Sequence, residues 1–121
     1  MPTQQNRPPD YRTVSDSEAT GARLVSDETL VLRNYDNRRH DLRVTFTDHN
    51  GETALNRNFS VGPRETVSIQ SRLERAVYRV EARLETGARA RADCLLGSDP
   101  DECAMIETGN GLVSVVEGHF C

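Results

Sequence analysis

Between residues 28 and 117 apolar side chains recur at every second position, and turn-forming residues return about every eight to twelve. A period of two places alternate side chains on opposite faces of an extended strand, so one face can be dry while the other is wetted. The pattern predicts strands near residues 28–35, 40–47, 53–61, 65–73, 77–85, 88–96, 103–108 and 112–117. No segment carries a helical stripe long enough to compete. The expected fold class is all-β, an antiparallel sandwich of seven to eight strands.

Two hairpins can be placed to the residue. Tyr78, Val80, Ala82 and Leu84 share one face, as do Ala88, Ala90, Ala92, Cys94 and Leu96 on the following strand. For these faces to meet, Leu84 must oppose Ala88, leaving Glu85, Thr86 and Gly87 as the loop, with Gly87 where a left-handed conformation is needed. The same register sets Arg79 against Asp93, Glu81 against Arg91, and Arg83 against Arg89 as a like-charged pair. Asn110-Gly111 suits a type I′ turn, which pairs Gly109 with Leu112, Ile106 with Val115 and Cys103 with Gly118. Asp48-His49-Asn50-Gly51 reads as an earlier hairpin turn, and Gly62-Pro63 as a break before the next strand.

The exterior of such a sandwich is ionic in an unusual way. All 15 basic side chains are arginine, against 19 Asp and Glu, for a net charge of -4 and a mean hydropathy of -0.64. A guanidinium is planar, weakly hydrated and able to fork onto a carboxylate, so an all-arginine surface favours ion pairing over bulk hydration. This acidic, lysine-free composition resembles that of proteins from salt-accumulating haloarchaea; a GC-rich coding sequence would produce the same exchange of arginine for lysine. With no Trp, three Phe and three Tyr, the core must be built mainly from Val, Leu, Ile and Ala. The negative charge argues against a nucleic-acid binder.

Residues 1–26, with Gln4, Gln5, Asn6 and the Pro8-Pro9 pair, hold no sustained period and are expected to form a flexible N-terminal arm, leaving 27–121 as the sandwich domain. An alternative for the arm is a docking peptide around Pro8, Pro9 and Tyr11. No apolar run approaches the ~20 residues that span a bilayer, and no basic-then-apolar leader opens the chain, so the expected location is cytoplasmic, with no membrane contact.

The residues with the most chemistry are Cys94, Cys103, His119 and Cys121, which the hairpins direct towards one edge of the sandwich. Three thiolates and an imidazole make a closed tetrahedral zinc set. The spacing is loose, however: eight residues separate Cys94 from Cys103, and 15 separate Cys103 from His119. A Cys94–Cys103 disulfide and three structurally inert thiols are the competing readings. Copper would draw on His40, His49 and His119, but these are scattered, and His40 and His49 read as solvated polar residues. Calcium at Asp99-Pro100-Asp101-Glu102 lacks the regular oxygen spacing of a calcium hand. No nucleophile elbow, zinc-protease helix or phosphate-binding glycine loop is present.

The run Val77-Tyr78-Arg79-Val80-Glu81-Ala82, followed by a glycine turn, resembles the late strand pair of immunoglobulin-like, fibronectin-III-like and prealbumin-like domains, and the likeness spans residues 28–117. The chain departs from antibody domains in lacking a core Trp and a cysteine pair between the second and sixth strands. The resemblance implies an adhesion-like or scaffolding sandwich. The expected function is non-catalytic, acting through a protein partner or self-association, with the 53–61 edge and its Asn56 and Asn58 as the docking strand. A zinc-binding or thiol-redox module built on Cys94, Cys103, His119 and Cys121 is the alternative.

Overall fold

The computed structural model describes residues 11–15, 29–71, 73–97 and 102–118. Among these, nine strands run in chain order: β1 (Tyr11–Ser15), β2 (Leu30–Asn34), β3 (His40–Thr47), β4 (Thr53–Val61), β5 (Thr66–Gln70), β6 (Ala76–Leu84), β7 (Arg89–Leu96), β8 (Cys103–Gly109) and β9 (Leu112–Gly118). They form a five-stranded sheet in the order β1-β5-β2-β8-β9 and a four-stranded sheet in the order β4-β3-β6-β7. No helix occurs among the described residues.

Alternation builds the interior as expected. Leu42, Val44 and Phe46 from β3, Tyr78, Val80, Ala82 and Leu84 from β6, and Cys94 and Leu96 from β7 all point inward from the four-stranded sheet. Leu30 and Leu32, Val67 and Ile69, and Ala104 and Ile106 meet them from the other sheet. Fully burying each such aliphatic or aromatic side chain stabilises the fold by about 1.5–3 kcal/mol. Phe46 and Tyr78 are the two large rings in contact, with centroids 6.3 Å apart. The Tyr78 hydroxyl escapes burial without a partner by donating to the Glu74 carbonyl at 2.7 Å.

The predicted hairpins are present in register. Leu84 N–H donates to Ala88 O at 2.8 Å, and Gly87 adopts φ 100°. Asn110 and Gly111 have φ values of 54° and 80°, the two positive angles of a type I′ turn. The Asp48–Gly51 turn is closed by Gly51 N–H to Asp48 O at 3.0 Å. Gly62-Pro63 opens a turn in which the non-glycine Arg64 takes φ 58°.

Two features differ from expectation. The sheets are not wholly antiparallel, because β1 lies parallel to β5 and β2 parallel to β8. The stretch 1–26, expected as an arm, contributes β1; Pro8, Pro9 and the remainder of that stretch lie outside the described residues. A parallel ladder at a sheet edge is made by backbone groups, so it needs little of the apolar periodicity that marks a core strand.

The two sheets meet along one seam, where β7 faces β9 and Leu95 N–H donates to the Glu117 carboxylate at 2.7 Å. Near it, Arg75 forks onto buried Glu102, with Nε to Oε1 at 3.0 Å and Nη2 to Oε2 at 2.9 Å. Gly97 permits this fork, since a Cβ there would collide with both side chains. The opposite side of the sandwich carries the outer strands β1 and β4.

Replacing Tyr78 with Phe deletes the hydroxyl bond to Glu74 and leaves the ring in place. Urea unfolding of the variant should show a loss of about 0.5–1.5 kcal/mol with an unchanged slope.

Candidate functional site

The strongest polar constellation in the structure is one that the sequence reading missed. His40, expected to be solvated, is only 2% exposed. Its Nδ1 lies 2.7 Å from Glu85 Oε2 and its Nε2 lies 2.7 Å from Asp36 Oδ2. Position 40 shares the inward parity of Leu42 and Val44, which is the signal that was available. The carboxylates come from elsewhere: Asp36 from the β2–β3 turn, 4 residues back, and Glu85 from the β6–β7 turn, 45 residues away.

Each carboxylate is tied down further. Asp36 Oδ1 accepts the Asn110 N–H at 3.0 Å, and Glu85 Oε1 accepts the Asp41 N–H at 2.8 Å. Beside them, buried Asn34 donates its amide to the carbonyls of Arg38, Val61 and Gly62, and its Oδ1 accepts the Asp36 N–H. Four turns, β2–β3, β4–β5, β6–β7 and β8–β9, are thereby fastened at one end of the sandwich.

Burial works against the charged imidazole, but the hydrogen bonds to Glu85 and Asp36 outweigh it, and the His40 pKa is raised above 6.5. The Asn110 N–H and then His40 hold Asp36 below its ordinary value; burial lifts Glu85, yet His40 and the Asp41 N–H bring it below its ordinary value too. Both ring nitrogens are engaged by carboxylates, so neither is left to take a proton from a nucleophile. The triad is a brace rather than a general base.

Of the four sequence-predicted metal residues, Cys94 and Cys103 lie among the described residues. Cys94 points into the core as a free thiol, and burial, then Glu117 and Asp93, push its pKa up to about 11. Cys103 is disulfide-bonded, which removes it as a thiolate ligand. Cys103 has the opposite strand parity to the core residues Ala104 and Ile106, yet it is fully buried. The Cys94–Cys103 disulfide, one of the competing readings, does not form: Cys94 is a free thiol inside the core, and Cys103 has the opposite parity on its own strand. His119 and Cys121 lie outside the described residues, as do Asp99 and Asp101 of the calcium reading. Glu102 is committed to Arg75, His49 is exposed in its turn, and no group able to hold a metal ion is found among the described residues.

The surface expected to dock a partner is better defined. Glu85 N–H donates to Asp41 O at 3.1 Å, which makes Asp41 and Glu85 a hydrogen-bonded pair. Ladder alternation then turns the backbone groups of Arg43, Thr45 and Thr47 towards β6, and those of Leu42, Val44 and Phe46 towards β4. On β4 the backbone groups of Leu55 and Phe59 therefore face β3, while those of Asn56 and Asn58 face the sheet's outer side. Among the described residues β3 is the strand neighbour of β4, and Asn56 and Asn58 are exposed.

Residues 38–121 match the halobacterial Ig-like domain. The chain belongs to that family. Within this halobacterial Ig-like domain, the Tyr78 hydroxyl reaching back to the Glu74 carbonyl is the tyrosine-corner bond common in immunoglobulin sandwiches. Among solved structures it is similar to the NMR structure of a protein from Eubacterium rectale, at 19% identity and a TM-score of 0.46, over 80% of this chain and 94% of that one. No curated protein matches it. No helix among the described residues is long and apolar enough to cross a membrane.

The brace predicts a stability window. Raised His40 adds stability that is complete below its unfolded pKa of about 6.5 and fades as pH climbs through the higher folded value; the depressed carboxylates add stability present above about 4.5 and lost in more acid solution. Thermal unfolding across pH should peak between these limits, and His40→Gln should flatten the alkaline limb. Cys94 is a free thiol and Cys103 is disulfide-bonded, so in unfolded protein Cys94 should react with a thiol reagent before reduction and Cys103 only after it, as peptide mapping would show.

Proposed function

We propose that this Ig-like domain is a non-catalytic binding or scaffolding module that acts through protein–protein contact, with β4 as the docking strand. The observation that carries the reading is the position of β4 (Thr53–Val61): a nine-residue outer strand whose Asn56 and Asn58 turn their backbone groups away from β3. A partner segment in extended conformation gains main-chain hydrogen bonds along such an edge, and the alternating side chains set its register. A second copy of the chain can make the same contact antiparallel, so self-association belongs to this reading.

Membership of the family supports a module without catalysis, since immunoglobulin-like sandwiches serve as frames for contact surfaces. The engaged state of His40 supports it as well: its ring nitrogens are consumed by bracing turns. The edge itself is lightly defended. Between Thr53 and Val61 the charged residue is Arg57, whose guanidinium stacks 5.0 Å over the Phe59 ring, whereas unused edges carry lysines, prolines or inward charges.

Asn58→Pro removes an outward N–H and leaves the β3–β4 ladder bonds intact, so the variant should fold, as judged by circular dichroism, yet lose association seen by sedimentation in molar KCl. A wild-type chain that stays monomeric at high concentration, and holds no protein that Asn58→Pro releases, would remove the reading.

A further inference from the structure

The outer face of the four-stranded sheet holds a charge arrangement that ordinary packing disfavours. The register pairs Arg43 with Arg83 and Arg83 with Arg89. Three arginines from β3, β6 and β7 thus lie side by side in one row across the sheet, all exposed. The ladder geometry sharpens this. Arg43 and Arg83 form a hydrogen-bonded pair, with Cα atoms about 5.5 Å apart; Arg83 and Arg89 form a non-hydrogen-bonded pair, at about 4.5 Å, where side chains come closest.

Like charges directly opposite one another destabilise a sheet. Neutralisation within the chain is slight. Arg43 donates to the side-chain Oδ1 of Asn58 at 3.3 Å, and Arg89 lies 3.9 Å from Glu81 with both groups well exposed. Among the described residues Arg83, at the centre, has neither a hydrogen bond nor an ion pair. In a chain of net charge -4, three adjacent guanidiniums run against the average of the surface.

The row is one residue wide. One step along the strands lie Asp41 and Glu85, and one step the other way lies Glu81 between Thr45 and Arg91. A long polyanion following the sheet would meet these carboxylates at once. A short segment crossing the strands would not. Two interstrand spacings make the row about 10 Å long, and the alternate side chains of an extended peptide are about 7 Å apart, so two carboxylates fit within it. Each carboxylate presents the planar edge that a guanidinium forks onto, and that hydrogen bonding persists where salt screens a bare charge.

We infer that the Arg43–Arg83–Arg89 row is a second contact surface, which receives a cluster of Asp or Glu side chains on an extended segment of a protein partner. This rests on the reading of the domain as a binding module and adds the chemistry of what it binds. The row is distinct from the β4 edge, which works through backbone groups.

The test uses the whole chain with a hexa-aspartate peptide as probe, titrated at 0.1 M and 1 M KCl with amide shifts as readout, and with hexa-asparagine and a six-nucleotide thymidylate as comparisons. Hexa-aspartate should shift Arg43, Arg83 and Arg89, and Arg83→Gln should weaken it about tenfold, the loss of one charge-assisted hydrogen bond. Arg33→Gln removes the same charge from the other sheet and should leave binding unchanged. Arg83→Gln should also raise the melting temperature at low salt, by relieving the repulsion. Equal weakening by Arg33→Gln, indifference to Arg83→Gln, or tighter binding of the oligonucleotide at these residues would overturn the inference. Association lost with Asn56→Pro, which blocks the edge and spares the Arg43–Asn58 bond, but kept with Arg83→Gln would remove this surface and leave the edge; the opposite pattern would remove the edge and leave this surface.

Discussion

A side chain on a strand has two directions available, and in this domain that restriction decides nearly everything else. Once Tyr78, Val80, Ala82 and Leu84 are buried, Arg79, Glu81 and Arg83 must face water; once Leu42, Val44 and Phe46 are buried, Arg43 must join them. The hydrophobic term supplies the force, because the interior aliphatic and aromatic side chains outweigh anything the exposed charges can contribute. Surface chemistry here is what the core leaves over. The arginine row, the outward backbone of β4 and the separation of Cys94 from Cys103 all follow from the same parity.

This explains which parts were legible in advance. β3 and β4 coincide with the predicted residues 40–47 and 53–61, and both late hairpins have the predicted partners, since alternation and turn chemistry are local signals. The parallel placement of β1 and of β8 was not legible: which strands become neighbours depends on how two finished faces stack, and no short window of residues records that. Cys94 was correctly given inward parity; Cys103 was grouped with it because the hairpins carry both towards one edge, although its parity on β8 is opposite to that of the core residues Ala104 and Ile106.

His40 was misread for a related reason. Histidine at a strand start suggests a hydrated residue, and the feature that reverses this lies in the β6–β7 turn. Glu85 comes to His40 because β6 pairs with β3 and carries its turn to the beginning of β3. Two carboxylates then make burial of the imidazole tolerable, Glu85 held by the Asp41 N–H of β3 and Asp36 by the Asn110 N–H of the β8–β9 turn. A polar brace of this kind has strict geometric requirements, so it orients the turns more sharply than apolar contact alone.

With guanidinium as the sole cationic side chain besides histidine, neither sheet face offers an amine. Acylation and other amine-directed modifications have no side chain to act on there, and alkaline media that discharge lysine leave these cations intact. The charge of the outer face thus answers to dissolved ions and neighbouring carboxylates, not to acylation.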